Sequence, residues 1–141
     1  MPIKEEFSSG IIPLTYRHNV WEVFLIQHVN GNHWGFPKGR QEKGESPKET
    51  AIRELKEETG QEIVRFLPLP FLVETYRCQK NGILINKTVQ FYLAEVTEKF
   101  HLQAAEIIQG KWVLPRELLS YVTFEEEKQL YLKLIQLLIV D

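Results

Sequence analysis

Between Arg53 and Gly60 the chain reads RELKEETG, and Glu54, Glu57 and Glu58 fall at i, i+3 and i+4. On a helix that spacing turns all three carboxylates to one side. Like charges so placed repel by roughly 0.2–0.5 kcal/mol per pair, and Arg53 and Lys56 offset only part of it. A hard divalent cation removes the conflict. Mg²⁺ accepts carboxylates together with substrate phosphates and retained water, and Mn²⁺ suits the same oxygens. Zinc fits less well, because neither a cysteine nor a paired histidine accompanies the cluster. The plain alternative is a solvated helix face, since glutamate is a good helix former. Helix physics alone leaves both readings open.

The stretch ahead of the helix, GRQEKGE, carries Gly39 and Gly44. Glycine permits tight turns and close backbone approach there, and a backbone carbonyl in such a loop can add a neutral oxygen ligand. Glu45 precedes Ser46, and Arg53 lies about two turns further on, so an ion pair between them would clamp loop to helix. The helix itself is the strongest secondary-structure expectation, over residues 46–59. Ser46 caps it, Pro47 suits its first position, Glu49 completes a capping box and Gly60 ends it. Ala51, Leu55, Ile52 and Thr59 are the candidate inward residues.

Around this helix the sequence predicts a mixed sheet. Residues 8–16 read as a strand disturbed by Pro13, then a turn at RHN, then a strand over 21–28 with both faces apolar. Residues 30–39, NGNHWGFPKG, form a loop with a short extended centre. A strand follows Pro70, QKNG (79–82) turns, and 86–96 is a strand with Val89, Phe91 and Leu93 on one face and Gln90, Tyr92 and Ala94 on the other. Residues 111–114 suggest a last short strand, and Leu114-Pro115 a helical turn. Thr123 and Glu126 suggest a second capping box. The final helix runs to about Ile139 and packs through Phe124, Tyr131, Leu134, Ile135 and Leu138. Strands interleaved with two main helices make an α/β fold.

The 141 residues, 43% of them hydrophobic, suit one domain spanning 1–141. A net charge of -2 provides no electrostatic footprint for wrapping long nucleic acid, so no stable nucleic-acid complex is expected. Cys78 is the one cysteine, which rules out an intramolecular disulfide and a cysteine metal cluster. That usage, with neither a signal-like start nor a membrane-length apolar run, points to a reducing cytoplasmic setting with no membrane attachment. Nothing in the sequence sets an oligomeric state.

The complete spacing narrows the choice. Gly39 is followed after five residues by Glu45, then after seven by Arg53-Glu54-Leu55, with Glu57, Glu58 and Gly60 completing the set. This resembles the signature of the Nudix hydrolases. The family's aliphatic residue after the last glycine is replaced here by Gln61. The resemblance implies an α/β/α sandwich with a central mixed sheet. It also implies hydrolysis of a nucleoside diphosphate linked to another group X, with Mg²⁺ or Mn²⁺. Carried onto this chain, it makes Glu57 and Glu58 the main metal ligands, with Glu54 close by and the Gly39 carbonyl contributing. Arg53 and Glu45 would orient the ligand helix, and Gly60 would end it. Chemically, water attacks phosphorus while bound metal stabilises the charge that builds on the non-bridging oxygens and lowers the water's pKa.

A general base outside the helix is common in the family, and Glu106 is the candidate. It stands six residues before Trp112, which resembles the spacing in the family's diadenosine tetraphosphate hydrolases. Glu58 or Glu54 are alternatives, and Glu95 and Glu98 weaker ones. The lead-in WGFPKG resembles the WxxPKG segment of the asymmetric diadenosine tetraphosphate hydrolases, and also segments of RNA 5′-pyrophosphohydrolases and decapping relatives. Lys38 would meet a phosphate there. His33, Arg40, Lys43, Arg77 and Lys87 are further candidates for cationic contact with a polyphosphate. Tyr76 is the candidate to stack on an adenine, with Tyr92 as rival. Trp34 and Trp112 read as structural. The leading expectation is cleavage of diadenosine 5′,5‴-P1,P4-tetraphosphate to ATP and AMP. Removal of pyrophosphate from triphosphorylated RNA, a diphosphoinositol polyphosphate phosphatase and a non-catalytic nucleotide sensor are the alternatives.

Overall fold

The computed structural model describes residues 3–31 and 33–139. Eight strands form one mixed sheet: β1 (Ile3–Arg17), β2 (Val20–His28), β3 (Trp34–Gly35), β4 (Lys38–Arg40), β5 (Ile63–Phe66), β6 (Leu72–Lys80), β7 (Ile83–Val96) and β8 (Ile107–Val113). Helix α1 spans Pro47–Thr59, a 3₁₀ helix Pro115–Tyr121, and α2 Glu125–Ile139. The sheet order is β3-β2-β1-β7-β5, with β4 also on β1, β6 on β7 and β8 on β2.

The parallel pairing of β1 with β7 is the spine, running from Ile3↔Leu84 to Leu14↔Glu95. Both strands are buried at their centres, and successive side chains go to opposite faces. Ile12, Leu14, Val89, Phe91 and Leu93 join Leu130, Tyr131 and Leu134 of α2 on one face. Ile11, Ala94 and Val96 join Ala51 and Leu55 of α1 on the other. The architecture is therefore the expected α/β/α sandwich. The two-residue turns also follow from sequence. His18 and Asn19 (φ 55° and 65°) join β1 to β2, and Asn81 and Gly82 (φ 53° and 75°) join β6 to β7. These are the left-handed pairs that match strand twist in a hairpin.

Several details depart from expectation. β1, β7 and β8 start well before residues 8, 86 and 111, because each extension is held by a distant partner strand. β5 was not expected, and it pairs with the end of β7. Ile52 is 39% exposed and does not face the core, whereas Thr50 and Glu58 do. At the start of α2 the capping carboxylate is Glu127, not Glu126. Its Oε1 accepts the N–H groups of both Thr123 and Phe124 at 2.8 Å. Phe124 is 51% exposed, and Leu130 takes its expected place in the core.

Gln61, the departure from the family pattern, is fully buried, and neither polar atom of its amide has a partner among the described residues. An unpaired buried amide costs about 1–3 kcal/mol. Gln61→Leu is therefore expected to stabilise the chain by about 1–2 kcal/mol in urea melts. A lower midpoint with unchanged slope would show that the amide has a partner after all.

Candidate active site

Local chemistry sets α1 before tertiary packing acts on it. Ser46 Oγ accepts the Glu49 N–H at 3.2 Å and Glu49 Oε1 accepts the Ser46 N–H at 2.8 Å. At the far end Gly60 turns left-handed (φ 72°) and its N–H reaches the Lys56 carbonyl. With Ala51 and Leu55 seated in the core, the glutamates are no longer equivalent. Glu58 is 3% exposed, while the side chains of Glu54 and Glu57 are 16% and 50% exposed.

Arg53 ties the loop to the helix. Its Nε meets Glu45 Oε2 at 2.6 Å, and its Nη2 reaches Glu45 Oε1 at 3.2 Å and the Arg40 carbonyl at 3.1 Å. Its Nη1 meets Glu54 at 3.0 Å and Glu57 at 3.1 Å. Glu45 also accepts the Thr50 hydroxyl and the Glu42 N–H. Arg53, then the Glu42 N–H, hold the Glu45 carboxyl down to about 2. The expected Glu45–Arg53 clamp is thus present, and the contacts of Arg53 to Glu54, Glu57 and the Arg40 carbonyl go beyond it.

Glu58 is the chemically unusual member. Burial first, then hydrogen bonding with the Glu54 carboxyl and the charges of Glu54 and Glu106, push it up to about 9, against the pull of the Lys38 backbone. Its Oε1 is buried with no partner among the described residues. Beside it, Gly39 in β4 pairs with Ser9 of β1, and a Cβ at residue 39 would fall 2.1 Å from the Glu54 carboxylate. Only glycine lets the backbone come so close.

Among the described residues no three of His, Cys, Asp and Glu converge into a finished cation cage. Glu57 is drawn toward Arg53, and Glu58 is buried beside the Glu54 carboxyl, which helps raise it. Two features still suit a cation. A buried carboxylate oxygen lacks a partner, and the donor set of Glu54, Glu57, Glu58 and the Gly39 carbonyl is all oxygen, as Mg²⁺ and Mn²⁺ prefer.

The loop leading into β8 docks on the end of α1. The Gln103 N–H donates to the Glu58 carbonyl, and the Glu106 N–H to the Gln103 carbonyl. Glu106 is exposed, and its charge acts on Glu58. Glu95 and Glu98 are instead held by Arg65 and Arg17. Trp112 is structural, its ring tilted against Phe24 with centres 5.1 Å apart and its indole N–H donating to the Glu98 carbonyl.

On the α2 face, His33, Lys38, Tyr76, Arg77 and Lys87 all line one cavity of about 330 Å³. Lys38 Nζ donates to the Tyr76 hydroxyl at 3.0 Å, and Lys87 Nζ lies 6.0 Å from the centre of the Tyr76 ring. Tyr92 is on the opposite side of the sheet, against Phe66. Lys43 and the side chain of Arg40 are not among the residues lining this cavity. His33 is not a cation here. Burial holds its imidazole below the ordinary range, so it is neutral at pH 7, stacked on His28 with ring centres 4.8 Å apart. His28 is pushed down to about 4 by burial, then by His33 and Lys38.

A model of the NUDIX domain matches residues 8–135. The chain belongs to the Nudix family. As a Nudix hydrolase it is a pyrophosphohydrolase of nucleotide substrates. It is 33% identical over 127 residues to the asymmetrical bis(5′-nucleosyl)-tetraphosphatase of Mus musculus, covering 86% of this chain and 83% of that one. It is 32% identical over 100 residues to the RNA pyrophosphohydrolase of a Nitratiruptor species, covering 64% of each. The Ap4A hydrolase of C. elegans, solved as a binary complex, shares the fold with a TM-score of 0.73 at 21% identity, over 94% of this chain and 97% of that one. No helix among the described residues of the Nudix hydrolase is long and apolar enough to cross a membrane.

Some cavity residues escaped the sequence reading. Glu74 could have been found, because it stands two residues before Tyr76 in a strand and so shares its face. Glu127, Phe124 and His28 carried no such signal, since α2 and the end of β2 meet this face only in the folded chain. Trp34, expected to be structural, also lines the cavity.

Proposed function

We propose that this Nudix hydrolase cleaves diadenosine 5′,5‴-P1,P4-tetraphosphate asymmetrically into ATP and AMP. One observation carries the reading. The residues suited to a polyphosphate and an adenine line a single cavity, and Lys38 joins that cavity through the chain to Gly39 and the glutamate face. The similarity to the mouse tetraphosphatase over most of both chains supports it.

In this reading Tyr76 stacks on one adenine, a contact worth about 1–3 kcal/mol. Lys38 fixes the Tyr76 ring through its hydroxyl and keeps a positive charge beside the catalytic loop. Lys87 and Arg77 line the same cavity and face the phosphate chain. Glu54, Glu57, Glu58 and the Gly39 carbonyl would hold Mg²⁺ or Mn²⁺. Bound metal supplies charge stabilisation at phosphorus and an acidified water. Arg53 and Glu45 orient the helix that carries those carboxylates. Glu106, exposed and close enough to act on Glu58, accepts the proton of the attacking water. The phosphoanhydride P–O bond breaks as the new P–O bond forms.

A second reading, removal of pyrophosphate from triphosphorylated RNA 5′ ends, is favoured by the similarity to the RNA pyrophosphohydrolase. A Mg²⁺-dependent product screen separates the two. Diadenosine tetraphosphate, triphosphate and capped RNA, nucleotide sugars and diphosphoinositols would be compared. The expected result is the highest kcat/KM on the dinucleotide, with equal ATP and AMP. Faster turnover of long RNA that falls steeply with salt would favour the second reading. Tight adenine-nucleotide binding with no metal-dependent product on any substrate would overturn both.

A further inference from the structure

Glu74 lies on β6 two residues before Tyr76 and lines the same cavity. Among the described residues its carboxyl makes no hydrogen bond and no ion pair. The neighbouring carboxylate of Glu127 is engaged by two backbone N–H groups. Glu74 is therefore a carboxyl in the cavity with its bonding capacity unspent, among flat side chains that suit a base.

We propose that Glu74 reads the Watson–Crick edge of the bound base and decides between adenine and guanine. The inference rests on the reading of this cavity as a nucleobase site. Adenine presents one donor, the N6 amino group, beside one acceptor, N1. A protonated carboxyl matches that pair, its carbonyl accepting from N6–H and its hydroxyl donating to N1. Guanine presents two donors, N1–H and the N2 amino group. An ionised carboxylate accepts both and cannot serve adenine N1.

Both forms are accessible near neutrality. Burial, followed by repulsion from Glu127, pushes Glu74 up to about 7, with Lys38 pulling the other way and Glu126 adding to the rise. The groups around it are Glu126, Glu127 and Tyr131 from α2, Lys38 from β4, Tyr76, Arg77 and Cys78 from β6, Lys87 from β7, His28 from β2, and His33, whose imidazole burial lowers. Tyr131 keeps its proton throughout, because burial and the two carboxylates raise it. The adenine-to-guanine preference thus falls as pH rises through the titration of Glu74.

The test is the ratio of kcat/KM for diadenosine and diguanosine tetraphosphates with Mg²⁺ between about pH 6 and 8, the interval centred on the raised carboxyl. Titrations common to both substrates cancel in that ratio, and neither base changes protonation state there. In wild type the ratio is expected to fall about tenfold, the value of one good bidentate base contact. Glu74→Gln keeps one donor and one acceptor at every pH, so its ratio should stay high and flat. Glu74→Ala should give a flat ratio near one. A wild-type ratio that does not move, or a Gln variant that retains the wild-type profile with a native melting curve, overturns the proposal. If neither dinucleotide is hydrolysed while another polyphosphate is, the nucleobase reading of the cavity falls and the assignment of Glu74 falls with it.

Discussion

Glu58→Gln is expected to lower turnover by about 10²–10³-fold, the scale on which a single group stabilising the transition state acts, and to make the metal-free protein more stable. The two effects have one origin. The wild-type carboxyl is buried against Glu54, with one oxygen lacking a partner among the described residues. It holds its proton to about 9, against an ordinary value of 4.5. Between those values the folded chain binds more protons than the unfolded chain, so stability falls as pH rises. Glutamine keeps a donor toward Glu54 at every pH and lacks this loss. The variant and wild type should therefore melt alike below about pH 4, where both forms of the side chain are neutral. The variant should lead at pH 8, because wild type has by then lost the stability linked to its raised carboxyl. Adding Mg²⁺ should close that gap by stabilising wild type alone, since a ligand bound only to the folded state shifts melting by mass action. Equal Mg²⁺ stabilisation of both proteins, with normal turnover in the variant, would remove Glu58 from the metal site.

The second large effect comes from a residue with no side chain. Gly39→Ala puts a methyl 2.1 Å from the Glu54 carboxylate. The atoms it meets are the far end of a flexible side chain, so Glu54 swings away and the fold survives. What is lost is placement, and a displacement of about 1 Å can cost about 10²-fold in rate. Turnover should fall by that order while the unfolding free energy from urea melts changes by less than about 0.5 kcal/mol, the size of an ordinary surface change. Unfolding of the variant would show that β4 itself cannot accept the methyl. Normal turnover would show that Glu54 need not lie against residue 39.

The family signature, the caps of α1, the Glu45–Arg53 clamp and the two tight hairpins could all be read along the chain. They depend on groups within a few residues of one another, so residue type and spacing are enough. The apolar run of β2 and the alternation of β7 were legible for a similar reason, because each strand carries its own apolar pattern. β5 was missed because four residues beside Leu-Pro-Leu-Pro have too little pattern, and it exists only where β7 offers an edge. Glu126 was preferred to Glu127 because the spacing of a capping box is nearly satisfied by both. Burial separates them, since Glu127 is 8% exposed while Glu126 is open to solvent.

The sequence by itself determined that three carboxylates share a helix face and that an arginine and two glycines are placed to hold it. Charge type and helical period require that much. Only the tertiary structure decided which carboxylate is dehydrated. Seating Leu55 against the sheet sinks Glu58, leaves Glu57 half in water and sets Glu54 against Gly39, so one local pattern yields three different acids. The cavity was likewise decided by long-range assembly, because β2, β4, β6, β7 and α2 each bring only one or a few of its walls.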